Sequence, residues 1–379
     1  MDKKSIVQMH TIILKRDAVS NIMRTLDTIH KENGWNSSLI SDLFSEYDDV
    51  YVLASYDYDK TPFLARVSYL IPRFIRLNNK AMWLKEYIKA KNRYKSGQAK
   101  KLIENADIRI WHYGAFYNLF RYFHDGDILA FHGITSPYLS YFSEFGIYSK
   151  TMLQAILDMK PFVIVDSQFI KQSLVDLGFK EHSIHVLHLF HKYNLPYIKR
   201  KPTKPNLITW GRYALNKGIP ELVAFANKNK IRLRAFGDNN QLKEFSDQYK
   251  ETVKVNTKGY ATLSGKVPDF EAELSQANIY ISNSYHEGFN MPLIEAEAHS
   301  IPVLARRGTA MDELVQEGSN GFLFNNVNEV PALIDKIMKD YKHFSYNAWQ
   351  HSQNFTYAKF KDKYLRILDE YGLFNKART

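Results

Sequence analysis

From Ser5 to Leu187 the chain repeats one pattern: a short apolar run, then a longer stretch whose apolar positions recur at helical spacing. Ser5–Met9, Val50–Ala54, Arg109–Trp111, Ile128–Phe131, Phe162–Asp166 and His185–Leu187 read as strands, with helices between them. The pattern breaks at His191–Asn206, where Pro196, Pro202 and Pro205 stand among lysines, a composition that fits a linker. It restarts with Asn206–Trp210, Arg232–Phe236, Ala277–Ser282 and Pro302–Ala305, each followed by a turn and a helical stretch. A last polar and aromatic helical pattern, Phe355–Leu373, has no strand after it. Such alternation is the signature of parallel sheets with crossover helices. The expected fold class is α/β, as two Rossmann-like domains whose ligand site lies in the crevice where strand C-termini face one another.

Composition narrows the function classes. A chain of 379 residues exceeds what one hydrophobic core serves, so two domains are expected on length as well. The absence of cysteine excludes disulfides, thiolate metal sites and cysteine nucleophiles, and permits a reducing compartment. Met1–His10 is too short in apolar residues for the core of a signal peptide, and no run nears the length of a membrane-spanning helix, so a cytoplasmic protein with at most peripheral membrane contact is expected.

The net charge of +11 is concentrated rather than spread. Residues 60–101 hold twelve Lys and Arg against one acid, Glu86, and the remaining 39 bases and 39 acids cancel. Phe63, Tyr69, Phe74, Trp83, Tyr87 and Tyr94 are interleaved with those cations. Like charges this dense repel one another, so an anionic partner is expected to compensate. A solvated helical face is the plainer reading. Anionic headgroups attract each Lys or Arg by about 1 kcal/mol and aromatics anchor at the interface, which favours an anionic membrane surface. An acidic or diphosphate-lipid acceptor would account for the same charge, and no nucleic-acid motif accompanies the patch.

The stretch Ser284–Ala298 carries the most chemistry. A strand ends at Ser282, a loop containing Glu287, Gly288, Phe289, Asn290 and Met291 follows, and Pro292 and Leu293 open a helix in which Glu295 lies about one turn along. Loop and first-turn N–H groups, with the positive end of the helix dipole, suit phosphate oxygens. Taken singly, Glu295 reads as a dipole-stabilising acid and Glu287 as a solvated loop carboxylate. In this frame the pair resembles the Glu-x7-Glu motif of retaining glycosyltransferases of family 4, the glycosyl transferases group 1. The resemblance implies that Glu287 contacts the donor sugar and Glu295 the ribose hydroxyls. A second stretch, Ile208–Gly218, runs from a strand into a glycine turn and resembles the family's Gly-Arg-x4-Lys-Gly phosphate clamp at Gly211, Arg212, Lys217 and Gly218. Fixed cations aimed at a leaving diphosphate stabilise the charge it gains. Phe236-Gly237-Asp238, Leu263–Val267 and Ile301–Ala305 match the family in order, with Gly237 a donor-binding candidate. His132, after Ile128–Phe131, looks like the histidine that reaches the donor sugar in mannosyltransferase-like members.

The resemblance therefore implies a GT-B fold with domains 1–195 (acceptor, including the basic segment 60–101) and 196–354 (nucleotide sugar), and a terminal helix, 355–379, packing back on the first. It implies a retaining hexosyltransferase that takes a nucleotide diphosphate sugar, with GDP-mannose first and UDP-sugars as the alternative. The acceptor would be a lipid-linked or surface glycan. A catalytically silent sugar-nucleotide or membrane adaptor and a sugar-nucleotide epimerase are the other readings. The chain departs from the family in three places: Thr11–Val19 lacks the Gly-Gly loop, Asn290 stands where glycine is common, and His299-Ser300 replaces a small-Gly pair. Asp57-Tyr58-Asp59 and Asp125-Gly126-Asp127 are formal Asp-x-Asp matches read as loops, so no metal and no cofactor beyond the donor is expected.

Overall fold

The computed structural model describes residues 4–13, 18–52, 97–112, 124–132, 154, 156–238 and 259–372. They divide into two compact units, Met1–Val165 with Lys171–Val186, and Asp166–Ile170 with Leu187–Thr379.

The N-terminal unit is built on seven parallel strands in the order β3-β2-β1-β4-β5-β6-β7. These are β1 (Ser5–Ile13), β2 (Asn36–Ser45), β3 (Tyr51–Val52), β4 (Ile108–His112), β5 (Ile128–Phe131), β6 (Phe162–Val165) and β7 (Ile184–Val186). Between them run α1 (Ala18–Glu32), α2 (Gly97–Glu104) and α3 (Gln168–Asp176). The central strands are buried on both faces, as parallel strands generally are: Ile6, Val7, Ile110, Trp111, Ile128, Leu129, Val163 and Val165 are almost inaccessible. β2 was not expected from the sequence. Its run Asn36-Ser37-Ser38-Leu39-Ile40-Ser41 is too polar to read as a strand, yet it pairs with β1 over most of its length and buries Leu39 and Ile40.

One buried carboxylate organises the sheet interior. Asp127, the second acid of the Asp125-Gly126-Asp127 match, accepts from Arg109 Nε at 2.8 Å, Trp111 Nε1 at 2.7 Å and the His124 backbone N–H at 3.1 Å. Its oxygens are engaged in fixing β4 to the turn before β5, and Gly126 takes φ +80° in that turn. Among the described residues no group of three acids or histidines is arranged to hold a metal. Asp57 and Asp59 lie outside the described residues, as does the basic segment up to Ser96.

The C-terminal unit holds six parallel strands in the order β10-β9-β8-β11-β12-β13. They are β8 (Asn206–Trp210), β9 (Arg232–Phe236), β10 (Ala261–Ser264), β11 (Ile279–Ser282), β12 (Val303–Arg306) and β13 (Gly321–Phe324). The helices are α4 (Ile219–Asn229), α5 (Phe270–Gln276), α6 (Met291–Ala298), α7 (Met311–Leu314), α8 (Val330–Lys339), α9 (Tyr341–Ser352) and α10 (Tyr357–Glu370). Leu207, Leu222, Ala226, Leu233, Ile279, Ile281, Leu304, Phe324 and Ile334 fill the core under α4 and α8. Truncating one of the buried leucines there would cost about 2–5 kcal/mol, the usual penalty of an internal cavity.

The proline-rich stretch read as a linker is a strap bound along this unit. The Arg200 guanidinium donates to the carbonyls of Ala277 and His299, Ile198 N–H to Ser300 Oγ at 2.8 Å, and Trp349 Nε1 to the Leu195 carbonyl at 2.9 Å. Prolines suit such a strap because it satisfies its backbone through side chains rather than through a ladder. α10 rests on the start of the strap, where Phe190 packs against Tyr357 and Phe360 with ring centroids 5.5 and 4.7 Å apart.

Candidate active site

Two loops at the C-terminal ends of β8 and β11 are stitched together within the C-terminal unit. After β11, Tyr285 N–H and Ser284 Oγ donate to the Asn216 carbonyl at 2.8 and 3.2 Å, and Asn283 Nδ2 donates to the Gly218 carbonyl at 3.1 Å. Gly218 sits at φ +60° as the residue before α4, and a Cβ there would lie 2.3 Å from Asn283 Nδ2. Only glycine meets both demands.

This stitching brings two of the sequence candidates into contact. Lys217 Nζ lies 2.5 Å from Glu287 Oε1, with side-chain exposures of 20% and 13%. The Glu287 carbonyl accepts from Ala310 N–H at 3.2 Å, which ties the loop to the turn before α7. Arg212 is exposed, with no ion pair among the described residues, five positions before Lys217. Gly211 precedes it at φ +142°, a conformation disfavoured for other residues, and donates its N–H to the Phe236 carbonyl at 3.0 Å.

Gly237 has a packing reason to be glycine. A Cβ would come within 2.5 Å of the Tyr213 ring and 2.6 Å of the Gly211 carbonyl. The Tyr213 hydroxyl lies 2.9 and 2.7 Å from the carbonyl oxygens of Ala235 and Ser264, locking the ends of β9 and β10. Phe289 likewise turns inward, stacking on His188 at 5.8 Å and meeting Phe355 edge-on at 5.9 Å.

Asn290 is the N-cap of α6. Its Oδ1 accepts from Leu293 N–H at 3.0 Å and from the buried Tyr280 hydroxyl at 3.1 Å, while Nδ2 donates to Ser282 Oγ at 3.2 Å. Pro292 lies in the first turn, where it forfeits no intrahelical bond. Gly288 and Met291 flank these residues, so the run 287–293 delivers a capped helix N-terminus beside the Lys217–Glu287 pair. At its other end α6 closes in a Schellman turn: Ile301 N–H reaches the Ala296 carbonyl at 3.1 Å around Ser300, at φ +59°. Ser300 thus holds the left-handed position that glycine usually takes, and its hydroxyl secures the strap at Ile198.

Glu295 is the other acid of the pair. Trp210 Nε1 donates to its Oε2 at 3.3 Å. Part of the side chain remains accessible, yet its carboxyl group is closely surrounded, and desolvation pushes its pKa up to about 7 against the opposing pull of Trp210 and Lys192. Its neighbour His299 lies 2.8 Å from the Glu295 carbonyl through Nδ1 and 2.7 Å from Glu271 Oε2 through Nε2, tying α6 to α5. Trp210 and Asn283 were not singled out in the sequence. Trp210 ends a strand directly before the glycine turn, which is the one signal it offered.

The remaining candidate, His132, follows β5 in the N-terminal unit. Its Nε2 is 2.8 Å from Nδ1 of His112, whose Nε2 is 3.0 Å from Gln8 Oε1.

The architecture described, two Rossmann-like units with wholly parallel sheets, is that of GT-B glycosyltransferases. Over 99% of this chain and all of the other, it superposes on a glycosyltransferase from Rickettsia africae with a TM-score of 0.68 at 20% identity. Residues 196–351 match the family described as glycosyl transferases group 1, and the chain carries a domain of that family. Two curated relatives match over part of their length. One is an uncharacterized 41.2 kDa protein in the cps region of Klebsiella pneumoniae, 23% identical over 46% of this chain and 51% of that protein. The other is a GDP-mannose-dependent alpha-mannosyltransferase of Corynebacterium glutamicum, 24% identical over 35% of this chain and 31% of that protein. The matched region thus spans about half the first relative's length and a third of the second's.

Proposed function

We propose that the protein transfers a hexose from a nucleotide diphosphate sugar to a hydroxyl of a lipid-linked or surface glycan, with retention of configuration. The observation that carries this reading is the Lys217–Glu287 contact at 2.5 Å beside the capped N-terminus of α6. An ammonium ion held on a carboxylate is a site poised for exchange. A diphosphate entering beside it takes Lys217 and Arg212 as its cations, and Glu287 is released to accept hydrogen bonds from sugar hydroxyls. Glu295, beside Trp210, receives the ribose hydroxyls. The backbone N–H groups of Gly288–Met291 serve the phosphates, the turn at Gly211 and the Gly237 turn border the nucleotide, and His132 contributes to sugar recognition.

In the reaction the acceptor oxygen forms a bond to the anomeric carbon as the bond from that carbon to the phosphate oxygen breaks, on one face of the sugar. The acceptor's proton passes to the departing phosphate oxygen, and Arg212 and Lys217 stabilise the charge that remains. GDP-mannose is the first donor proposed, supported by the mannosyltransferase-like surroundings of His132 and by the corynebacterial relative. A peripheral site on the cytoplasmic face of the membrane, docked through residues 60–101, fits the charge concentration in the sequence. No helix among the described residues is long and apolar enough to cross a membrane.

The test is a thermal-shift and hydrolysis screen against GDP-mannose, UDP-glucose, UDP-N-acetylglucosamine and UDP-galactose, with Glu287→Ala and Arg212→Ala as controls. One donor is expected to raise the melting temperature of the wild type and to be hydrolysed slowly by it but not by the variants. Silence across these and a wider donor panel would leave the adaptor reading in its place.

A further inference from the structure

The start of β2 is polar where its neighbours are apolar, and a cleft within the N-terminal unit accounts for it. Asn36, Ser37 and Ser38 stand in register beside Ser5, Ile6 and Val7 of β1. The two strand ends floor an opening of about 540 Å3, within the range of about 300–1,000 Å3 usual for small-molecule sites. One wall is the end of α1, with Lys31 and Trp35, where the Trp35 N–H closes on the His30 carbonyl at 3.1 Å. The other wall is a stripe along α2 and the residue after it: Gln98, Lys101, Leu102 and Asn105, spaced i, i+3, i+4, i+7. Ala99, Ile103 and Ala106 take the core-facing side of that helix. A polar helical stripe and a polar strand end therefore face one another across the same space.

Its charge is specific. Among the described residues that line the cleft none is acidic. Lys31 is balanced by Asp27, 2.7 Å away. His30, whose Nδ1 lies 3.1 Å from the Ser37 hydroxyl, is kept neutral by burial, which pushes its pKa down to about 3. Lys101 is exposed and has no ion pair among the described residues, so the cleft carries one unbalanced positive charge. Around it stand the amides of Asn36, Gln98 and Asn105 and the hydroxyl of Ser38, groups that both donate and accept. Sugar hydroxyls do the same, and a carboxylate, which only accepts, complements the lysine.

We propose that this cleft is a second carbohydrate site, which takes a saccharide bearing one carboxylate, with Lys101 on the carboxylate and the amides of Gln98, Asn105 and Asn36 on the hydroxyls. One unpaired lysine matches one negative charge, whereas a diphosphate calls for several cations. The cleft is remote from the strand ends that carry His132. Met9 pairs with Trp111 and Trp111 with Leu129, so His132 stands level with Ile12, and Ser5 lies about 20 Å back along β1 at ~3.3 Å per residue. Only the glycan context rests on the transferase reading above: an acidic residue of the growing glycan, bound here, tethers the chain between additions.

The experiment is isothermal titration calorimetry of the full chain, without lipid, against glucuronate, galacturonate and N-acetylneuraminate, with glucose, galactose and inorganic phosphate for comparison. At least one acid is expected to bind, and the neutral sugars and phosphate to bind about tenfold more weakly or not at all, since a hydrogen bond to a charged group is lost or ill matched. Lys101→Ala should weaken the acid about tenfold for the same reason, and Gln98→Ala severalfold. Lys100→Ala, on the same helix but outside the lining, should stay within about twofold. All three are exposed helical positions that accept alanine without loss of the fold. Saturating GDP or UDP should leave the binding of the acid unchanged. No binding of any acid at tens of millimolar overturns the proposal, as does binding indifferent to Lys101→Ala, equalled by phosphate, or displaced by either nucleotide. An acid that binds as expected in a protein that hydrolyses no donor removes the transferase reading and leaves the site. Donor hydrolysis without acid binding removes the site and leaves the transferase.

Discussion

At the strand ends of the C-terminal unit, charged side chains meet in loops partly open to solvent: Lys217 on Glu287, with Arg212 exposed nearby. At the strand ends of the N-terminal unit the polar groups are imidazoles and an amide in a chain leading to wholly buried atoms, from His132 through His112 and Gln8 to Met23. The two arrangements suit different tasks. A charge pair that keeps some contact with solvent can exchange partners when a diphosphate arrives, because the ligand's charge replaces the one given up. A dry chain cannot exchange, but it fixes direction, since each member has only one way to satisfy its neighbour.

The largest expected effect comes from deleting the charge on one side of this comparison. Glu287→Ala should lower donor hydrolysis about a hundredfold to a thousandfold, the scale of losing one preorganised polar contact to a reacting centre, and should leave the melting temperature within a few degrees. Glu287→Gln separates charge from hydrogen bonding. Hydrolysis by that variant within about threefold of wild type would show that an amide suffices, and the exchange with Lys217 would then be incidental.

Next comes the geometry that allows the charges to meet. Gly218→Ala forces a Cβ into Asn283 at a residue with φ +60°, and the combined clash and strain should cost about 2–4 kcal/mol in urea unfolding. The same substitution at Gly211, where φ is +142° but nothing lies within 4 Å of the added carbon, isolates the backbone term. Its cost should be about 1–2 kcal/mol. Equal costs at the two positions would mean that the contact between loops contributes little.

Glu295 is the exception that sharpens the contrast, an acid of the charged unit in surroundings like those of the buried imidazoles. Its folded pKa of about 7 lies above the ordinary carboxyl value near 4.5. The folded state therefore favours the protonated form. Stability from this group is fully present below pH 4.5 and is lost as pH rises through 7. Glu295→Gln should accordingly stabilise the unliganded protein at pH 8 by on the order of 2 kcal/mol, allowing for its partial exposure, and by almost nothing at pH 4. Nucleotide affinity should move the other way in the wild type, rising with pH through 7 as the carboxylate becomes a full acceptor for ribose hydroxyls. An affinity flat from pH 6 to 8 would separate Glu295 from the nucleotide.

Much of this was legible before the structure, because strands such as Ile128–Phe131, Asn206–Trp210 and Arg232–Phe236 are apolar runs bounded by turn residues. β2 was hidden by its serines and β10 (Ala261–Ser264) by its small and hydroxyl residues, since neither is the wholly apolar run that marks the equally short β5. Local spacing placed Glu287 and Glu295 on one loop and helix. It could not pair Glu287 with Lys217, seventy positions earlier, nor bring Trp210 to Glu295, since such contacts depend on β8 lying beside β11 in the sheet. Gly237 shows the same blindness in another form: whatever it offers a ligand, the Tyr213 ring already requires it to be glycine, and no spacing in the sequence reveals that ring beside it.

The smallest expected effect concerns Asn290, which departs from the glycine common in the family at this position. Glycine and asparagine are both tolerated at an N-cap, alanine much less, because the cap must leave helical geometry and offer an acceptor or at least admit water. Here the backbone is extended, at φ −122° and ψ 86°, so no left-handed turn calls for glycine. The asparagine side chain instead accepts from Leu293 N–H and from the Tyr280 hydroxyl, which burial and the charge of Glu287 make still harder to ionise. Asn290→Gly should then cost more than the few tenths of a kcal/mol typical of that exchange, about 1 kcal/mol, because Tyr280 loses a partner in a dry place. Asn290→Ala should cost slightly more, and Asn290→Gly with Tyr280→Phe should recover most of the difference. If the single glycine variant unfolds at the same urea concentration as wild type, the buried contact to Tyr280 is worth nothing net, and asparagine serves here only as a cap.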